Sequence, residues 1–581
     1  MFRPFFVVAL VCVCVTMAGA SCGSHSNFGG GDAGGDGSII GNDGGVGCNP
    51  CNDFPSTPIF DNGAPQNAPQ LFQPAGSSSG GPCLSEPEIG SLFPNNWLRP
   101  RFVFTPASGE NLFEIRIHAD AETNDLLVYT TATNWTMPDD IWKALALHVE
   151  NQPITVTVRG LDTANPQPAT GTSGPFTIAP VPANGSMVYW ATLNFDSNAQ
   201  NTKLEGFHVG DDNVVDALET TQVQEKVRAT WGNSLSTLDT QVQCIGCHTS
   251  TPDGKYAAFT AQWPWPNALA SVEQGTQGAI PPFLTASAQS ALSPNVNGAY
   301  NVGDVQKYML GIQTFSKAHY QTGDRIVVTT EGSAWYRQNP TDPGQATGVV
   351  AQLVWFDLEA SSEAQGTAWD VIARTNDSNS AAAPSWSHDG NTIAYVSTDT
   401  GAEDGRVGEG SADIALVPYN AKAGGSVTKV AGASDPAYEE YYPAFSPDDS
   451  LLAFNRVGSN MSMYNQPAAE VFVIPASGGT ATRIKANDPV ACLGVTSPGV
   501  QNTWPKWAPD AETYGGSTYY WLIFSSKRAG SGLAQLYITA VVKDGSGNLT
   551  TYASIYLWNQ DQTLNNLVPA WDNFNIPPVV N

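Results

Sequence analysis

Charge is scarce in this 581-residue chain, and positive charge scarcer still: 13% of residues are charged, with 25 basic against 53 acidic side chains. The net charge of −28 repels phosphate backbones and anionic lipid surfaces, which excludes nucleic acid as a partner. Enzyme signatures are missing too. There is no GxSxG elbow, no HExxH, no GxxxxGK[ST] and no dinucleotide glycine fingerprint after a strand. Methionine is sparse at 7, so few thioethers are available as soft ligands. The apolar run at residues 5–17 is too short and wrongly flanked for a lasting membrane helix, and reads as an export signal.

What is present points to an all-β protein. Glycine (56) and proline (41) separate short runs of Val, Ile, Tyr, Phe and Trp, and 41% hydrophobic content over this length fills the cores of two or more domains. Gly19, Ala20 and Ser21 before Cys22 resemble a bacterial lipobox, although the usual outer Leu is missing. The resemblance implies cleavage after residue 21, a lipidated Cys22 and a protein held to the outer membrane only by that anchor; ordinary signal cleavage near Ala18–Ala20 is the alternative. Residues 22–81, rich in Gly, Asp and Pro, read as a disordered tether.

Export favours paired or ligated thiols. Cys48 and Cys51 in "CNPC" can close on each other or send one partner to Cys83, stapling the tether to the first domain, and Cys492 has no assigned partner. Residues 82–182 carry strands at intervals of about ten residues. Phe113, Ile115 and Ile117 alternate there with Glu114, Arg116 and His118, the period of a sheet with one buried face. This small β-sandwich resembles a fibronectin type III module in strand order. A short helix is expected over residues 138–147, capped by Asp139 or Asp140.

The second half repeats itself. "PSWSHDGNTIAYVS" from Pro384, "PAFSPDDSLLAFNR" from Pro443 and "PKWAPD…YYWLIFSSKR" from Pro505 share a proline, an aromatic two residues on, an Asp-bearing turn and an apolar strand. Weaker copies lie at Thr314 and Pro569, and "HTSTPDGKYAAFTA" places His248 in the proline column. Columns at 248, 313, 384, 443, 505 and 569 imply a six-bladed β-propeller over residues 183–581. The last copy is truncated, so "SMVYWATLN" and "LEGFHVGDD" (186–194 and 204–212) are expected to close the ring. These repeats resemble the PxWSPDGxxIAF repeats of TolB-type propellers, which is specific for fold and uninformative about activity.

Inside the first repeat, "CIGCH" resembles the attachment motif of cytochromes c: Cys244 and Cys247 would carry the thioethers of a haem c and His248 would be an axial iron ligand. Met463 or Met461, in the loop "NRVGSNMSMYNQP", is the expected sixth ligand, with His208 and His319 as alternatives and a five-coordinate iron left open. A plain disulfide between the two cysteines, or a metal with a distant His, competes with haem. Asp399, Glu403, Asp404 and Asp413 form a weak calcium candidate. His388 is a turn residue with no assigned role.

Two functions follow from these readings. One is a monomeric, non-enzymatic envelope lipoprotein whose haem transfers electrons with, or senses, a redox partner. The other is a haem-free propeller that binds envelope proteins or glycans. A haem peroxidase would further need an open coordination site and a distal base.

Overall fold

The computed structural model describes residues 48–193, 202–223, 245–261, 267–292, 312–331, 351–399, 402–403, 406–407, 411–463 and 465–578. The signal segment, Cys22, Cys244 and Asp404 lie outside the described residues. Residues 47–581 cluster as one compact unit, and its architecture is all-β.

The first part consists of two sheets. Cys83–Glu86, Arg101–Thr105 and Asn134–Thr136 form one; Leu126–Thr130, Leu112–Ala119, Pro153–Asp162 and Asn165–Ile178 run side by side in the other. The alternation in Leu112–Ala119 holds on one face only: Phe113, Ile115 and Ile117 are buried, while Glu114 is buried as well. Its carboxylate accepts from Tyr129 Oη at 3.0 Å and Arg159 Nη1 at 3.1 Å, which satisfies the charge. The helix spans Asp139–His148 with Pro138 as its N-cap, so Asp139 and Asp140 sit in the first turn instead of capping it.

The tether expected over 22–81 does not hold for its second half. Residues 48–81 pack as structure: Ile59–Phe60 pairs in parallel with Val128–Tyr129, and Ala68–Leu71 is a helical turn whose Ala68 is fully buried. The cysteines resolve as Cys48–Cys51 and Cys83–Cys492, the second tying the first two sheets to a loop 409 residues on.

Most of the remaining described strands form a series of antiparallel meanders, while Ala373–Thr375 and Gly424–Ser426 pair in parallel. In chain order the leading members of the meanders are Ile245–Ser250, the bridge at Thr314, Ser380–Trp386, Tyr438–Phe445, Thr503–Trp507 and Asn565–Asp572. Each of the first five is followed by the strands next in sequence. The last, Asn565–Asp572, pairs instead with Ser186–Thr192, which pairs with Lys203–His208 and then Val215–Glu219. The chain's end is thus zipped to strands near its middle, as the truncated final repeat required.

No gap separates this series from the first two sheets. Phe102, Phe113, Val156 and Phe176 share one buried cluster with Met187, Tyr189, Trp521 and Trp571. Burying each such side chain contributes about 1.5–3 kcal/mol. Arg528, fully buried, reaches Glu88 across the same boundary and also donates to Asn502 Oδ1 at 2.8 Å and Ser554 Oγ at 3.0 Å.

Candidate functional site: the central cavity

A β-bulge recurs in the leading strands. Between Ala382 and Ser385, Tyr441 and Ala444, Thr503 and Lys506, and Leu567 and Ala570, three steps on the leading strand oppose two on its neighbour. One residue of each bulge is left-handed: Ala383, Tyr442, Trp504 and Val568 have φ of 43, 55, 54 and 46°. Positive φ in such bulky residues is costly, and its repetition at one position just before the proline column marks a built feature. A bulge re-aims the side chains that follow it.

Those side chains converge. The residue after the column position is Thr249, Thr314, Ser385, Ala444, Lys506 and Ala570 in the six copies, and all six line one cavity of about 120 Å³. The residue after that is aromatic in five copies and packs within or between sheets; Trp507 Nε1 donates to Ala444 O at 2.9 Å and Trp571 Nε1 to Asn184 O at 2.8 Å. The turns also superpose chemically. Thr251 donates to Asp253 at 2.6 Å, Ser387 to Asp389 at 2.7 Å and Ser446 to Asp448 at 2.6 Å, which supports the alignment of the first repeat.

The first repeat departs from the others in its bulge and in its aromatic position. Its bulge falls between Ile245 and His248, one residue earlier, so His248 joins the regular ladder opposite Phe259. The ring is 3% exposed, with Nε2 3.1 Å from Val188 O and Nδ1 3.3 Å from Gly246 O. Burial pushes its pKa down to about 4, keeping it neutral. A neutral ring has one N–H, which the shorter contact assigns to Nε2. Ser250 stands where the other copies have an aromatic, and its hydroxyl donates to Asp572 Oδ2.

Asp572, Lys317, Lys506 and the His388 imidazole also line the cavity. Burial raises the Asp572 pKa, opposed by the Ser250 hydrogen bond and by the charges of Lys317 and His388. His388, to which the sequence assigned no role, holds Asp449 at 2.8 Å through Nδ1. Lys506, in the strand Thr503–Trp507, is half-buried. Burial lowers its pKa to about 8, and the titratable groups close enough to interact with it are Cys247 and His248.

The expected haem ligands are not brought together. Both His248 nitrogens face backbone carbonyls, and Cys247 is half-buried in the bulge. Met463 is packed in the core at 1% exposure and Met461 lies on the surface at 37%; neither lines the cavity. His208 Nδ1 pairs with Ser186 Oγ at 2.8 Å, and His319 Nδ1 with Asp324 at 2.8 Å while its ring stacks on Trp386. A cavity of about 120 Å³ also falls below the ~300–1,000 Å³ of ordinary ligand pockets. The residues as arranged do not fit a haem. In the calcium candidate, the Asp413 carboxylate is taken by Lys429 and Asp399 accepts from Ser411 N at 2.8 Å.

Two other polar groupings are structural. Cys48, Cys51, Asp53 and His148 lie within 4.8 Å of one another, but with the sulfurs joined only His148 and Asp53 remain as donors, and they pair at 2.8 Å. A larger cavity of about 320 Å³ is lined by Glu86, Glu88, Arg101, Arg528 and Tyr556. There Arg101 grips Glu86 at 2.9 and 2.8 Å and Arg528 answers Glu88, so its charges satisfy each other.

No family model matches the chain, and no curated protein matches it. Among solved structures it is similar to an ancestral GH74 enzyme at 12% identity and a TM-score of 0.35, over 66% of this chain and 40% of that one. The chain therefore spans less than half of that neighbour's length, and a likeness this distant carries no argument about activity.

Proposed function

We propose that this is an exported, lipid-anchored envelope protein in which a fibronectin type III-like module is fused to a six-bladed, TolB-like propeller, acting as a haem-free binding scaffold. The observation that carries the reading is the convergence of six repeat-equivalent residues on one cavity, the geometry of radial repetition. In the first module, the split of Cys83–Glu86, Arg101–Thr105 and Asn134–Thr136 from Leu126–Thr130, Leu112–Ala119, Pro153–Asp162 and Asn165–Ile178 supports the immunoglobulin-like order. Cys22 would carry the lipid, and the partners would be envelope proteins or glycans. Propellers bind ligands at the channel, where loops and inner strands of every blade meet.

The second reading, one haem c on Cys244, Cys247 and His248 for electron transfer or redox sensing, is favoured by the CIGCH spacing itself. It requires His248 to leave the Val188 carbonyl. A pyridine haemochrome spectrum decides between them, on protein co-expressed with a c-type maturation system beside a Cys244→Ala, Cys247→Ala double variant. Colourless, folded protein in both cases is the expected result. A c-type α-band in the unaltered chain alone overturns the haem-free reading.

A further inference from the structure

Five of the six channel-lining positions hold Thr, Ser or Ala, and the sixth holds Lys506. Among the described residues its amine has no hydrogen-bond or ion-pair partner. An ammonium held half-buried in a cavity wall with no acidic partner is open to pairing with an anion from outside the chain. The surrounding protein is strongly acidic, at −28 overall, yet no described carboxylate is placed to answer this cation.

We propose that Lys506 is the anion-recognising residue of the central cavity, and that the ligand is a small monocarboxylate entering acid end first. This rests on the haem-free binding reading. Lys317, the other lysine of the lining, interacts with Asp572, which leaves the single ammonium of Lys506 to match one negative charge. Asp572, on the wall of the same cavity, disfavours a dianion. Thr249 and Ser385 add hydroxyls for the carboxylate or an adjacent hydroxyl group, and about 120 Å³ admits only a few heavy atoms. The other titratable groups facing the cavity are His248, neutral by burial, His388, paired to Asp449, and Lys317 and Asp572. Cys247 stands beside the amine.

The test is calorimetric titration of the full mature chain, first shown colourless by haemochrome, with acetate and with the isosteric neutral acetamide. Acetate is expected to bind and acetamide not. Acetate affinity is expected to drop at least tenfold in Lys506→Met, to survive in Lys506→Arg, and to fall about tenfold per pH unit above pH 8 as the amine loses its proton. Lys506→Gln serves as a second neutral variant should Met repack the channel. Equal binding of acetate and acetamide, or an unchanged affinity in both neutral variants, overturns the proposal. Tighter binding of inorganic phosphate than of acetate overturns the monocarboxylate class. A c-type α-band would remove the underlying reading before any titration, whereas colourless protein that ignores acetate removes this inference alone.

Discussion

Replacing Lys506 by methionine should make the protein more stable, although it deletes a residue of the candidate site. The ordinary lysine value of 10.5 falls to about 8 here because burial strips water from the ammonium. At about 1.4 kcal/mol per pH unit, holding that charge in the fold costs about 3 kcal/mol at neutral pH. Between pH 8 and 10.5 the unfolded chain keeps the proton and the folded chain sheds it, so stability rises with pH across that window and the cost is felt in full below it. Methionine keeps the apolar stem and drops the charge. Urea unfolding followed by tryptophan fluorescence should therefore show Lys506→Met more stable by about 2–3 kcal/mol at pH 7, with the difference closing towards pH 10.5. A variant equal to or weaker than the parent at pH 7, or a gap that ignores pH, would falsify the claim that an unpaired ammonium sits in this cavity.

Acid should act through His248: its folded pKa of about 4 lies below the ordinary 6.5, so stability is lost as pH falls from 6.5 to 4, by up to about 3 kcal/mol, and His248→Gln should flatten that limb in urea midpoints taken at pH 7 and 4.5. Gly254 has φ +69° and an added Cβ would lie 1.6 Å from Asn573 O, where Gly254 O accepts from Asn575 N. Gly254→Ala should cost more than 2 kcal/mol and open the C-terminus to limited proteolysis, whereas Gly547→Ala, with φ +87° and open space, should cost only about 1 kcal/mol. Opening Cys83–Cys492 with a Cys492→Ser, Cys83→Ser pair should lower stability by about 2–5 kcal/mol, and non-reducing peptide mapping should recover the linked peptides from the parent.

Much of the architecture was legible because repeats expose their own period. The hairpin turns, the aromatic column and the closing strands at 186–194 and 204–212 all followed from aligning short motifs, since Asp-bearing turns and alternating apolar residues are local properties. Three things were not local. Residues 48–81 looked like tether because Gly and Pro dominate their neighbourhood, yet Ile59, Phe60 and Ala68 find partners on a sheet formed much later in the chain. The Cys83–Cys492 pairing depends on how two remote loops meet, which spacing cannot give. The bulges, with Ala383, Tyr442, Trp504 and Val568 left-handed, carry no sequence signature, because none of the four is glycine or asparagine. Lys506 did have a signal: it is the one charged residue in a column of Thr, Ser and Ala.

The departures from the repeat then acquire a common location. The first copy differs from its fellows at Cys247 and His248, where the bulge slips by one residue, and at Ser250, where an aromatic is lost. The fifth differs at Lys506. Positions separated by hundreds of residues are brought to one cavity, and there these departures meet: Lys506 lies within electrostatic reach of Cys247 and His248, and Ser250 binds Asp572 of the last copy. Residues selected for packing alone would keep the consensus, because an aromatic and a small neutral side chain serve the fold better than a bare ammonium. Stability argues against every one of these substitutions. Ser250→Trp is therefore expected to restore the lost aromatic packing while releasing Asp572, and Lys506→Met to relieve the half-buried charge; if both stabilise the chain and both abolish acetate binding, the cavity is held in its costly form by what it binds.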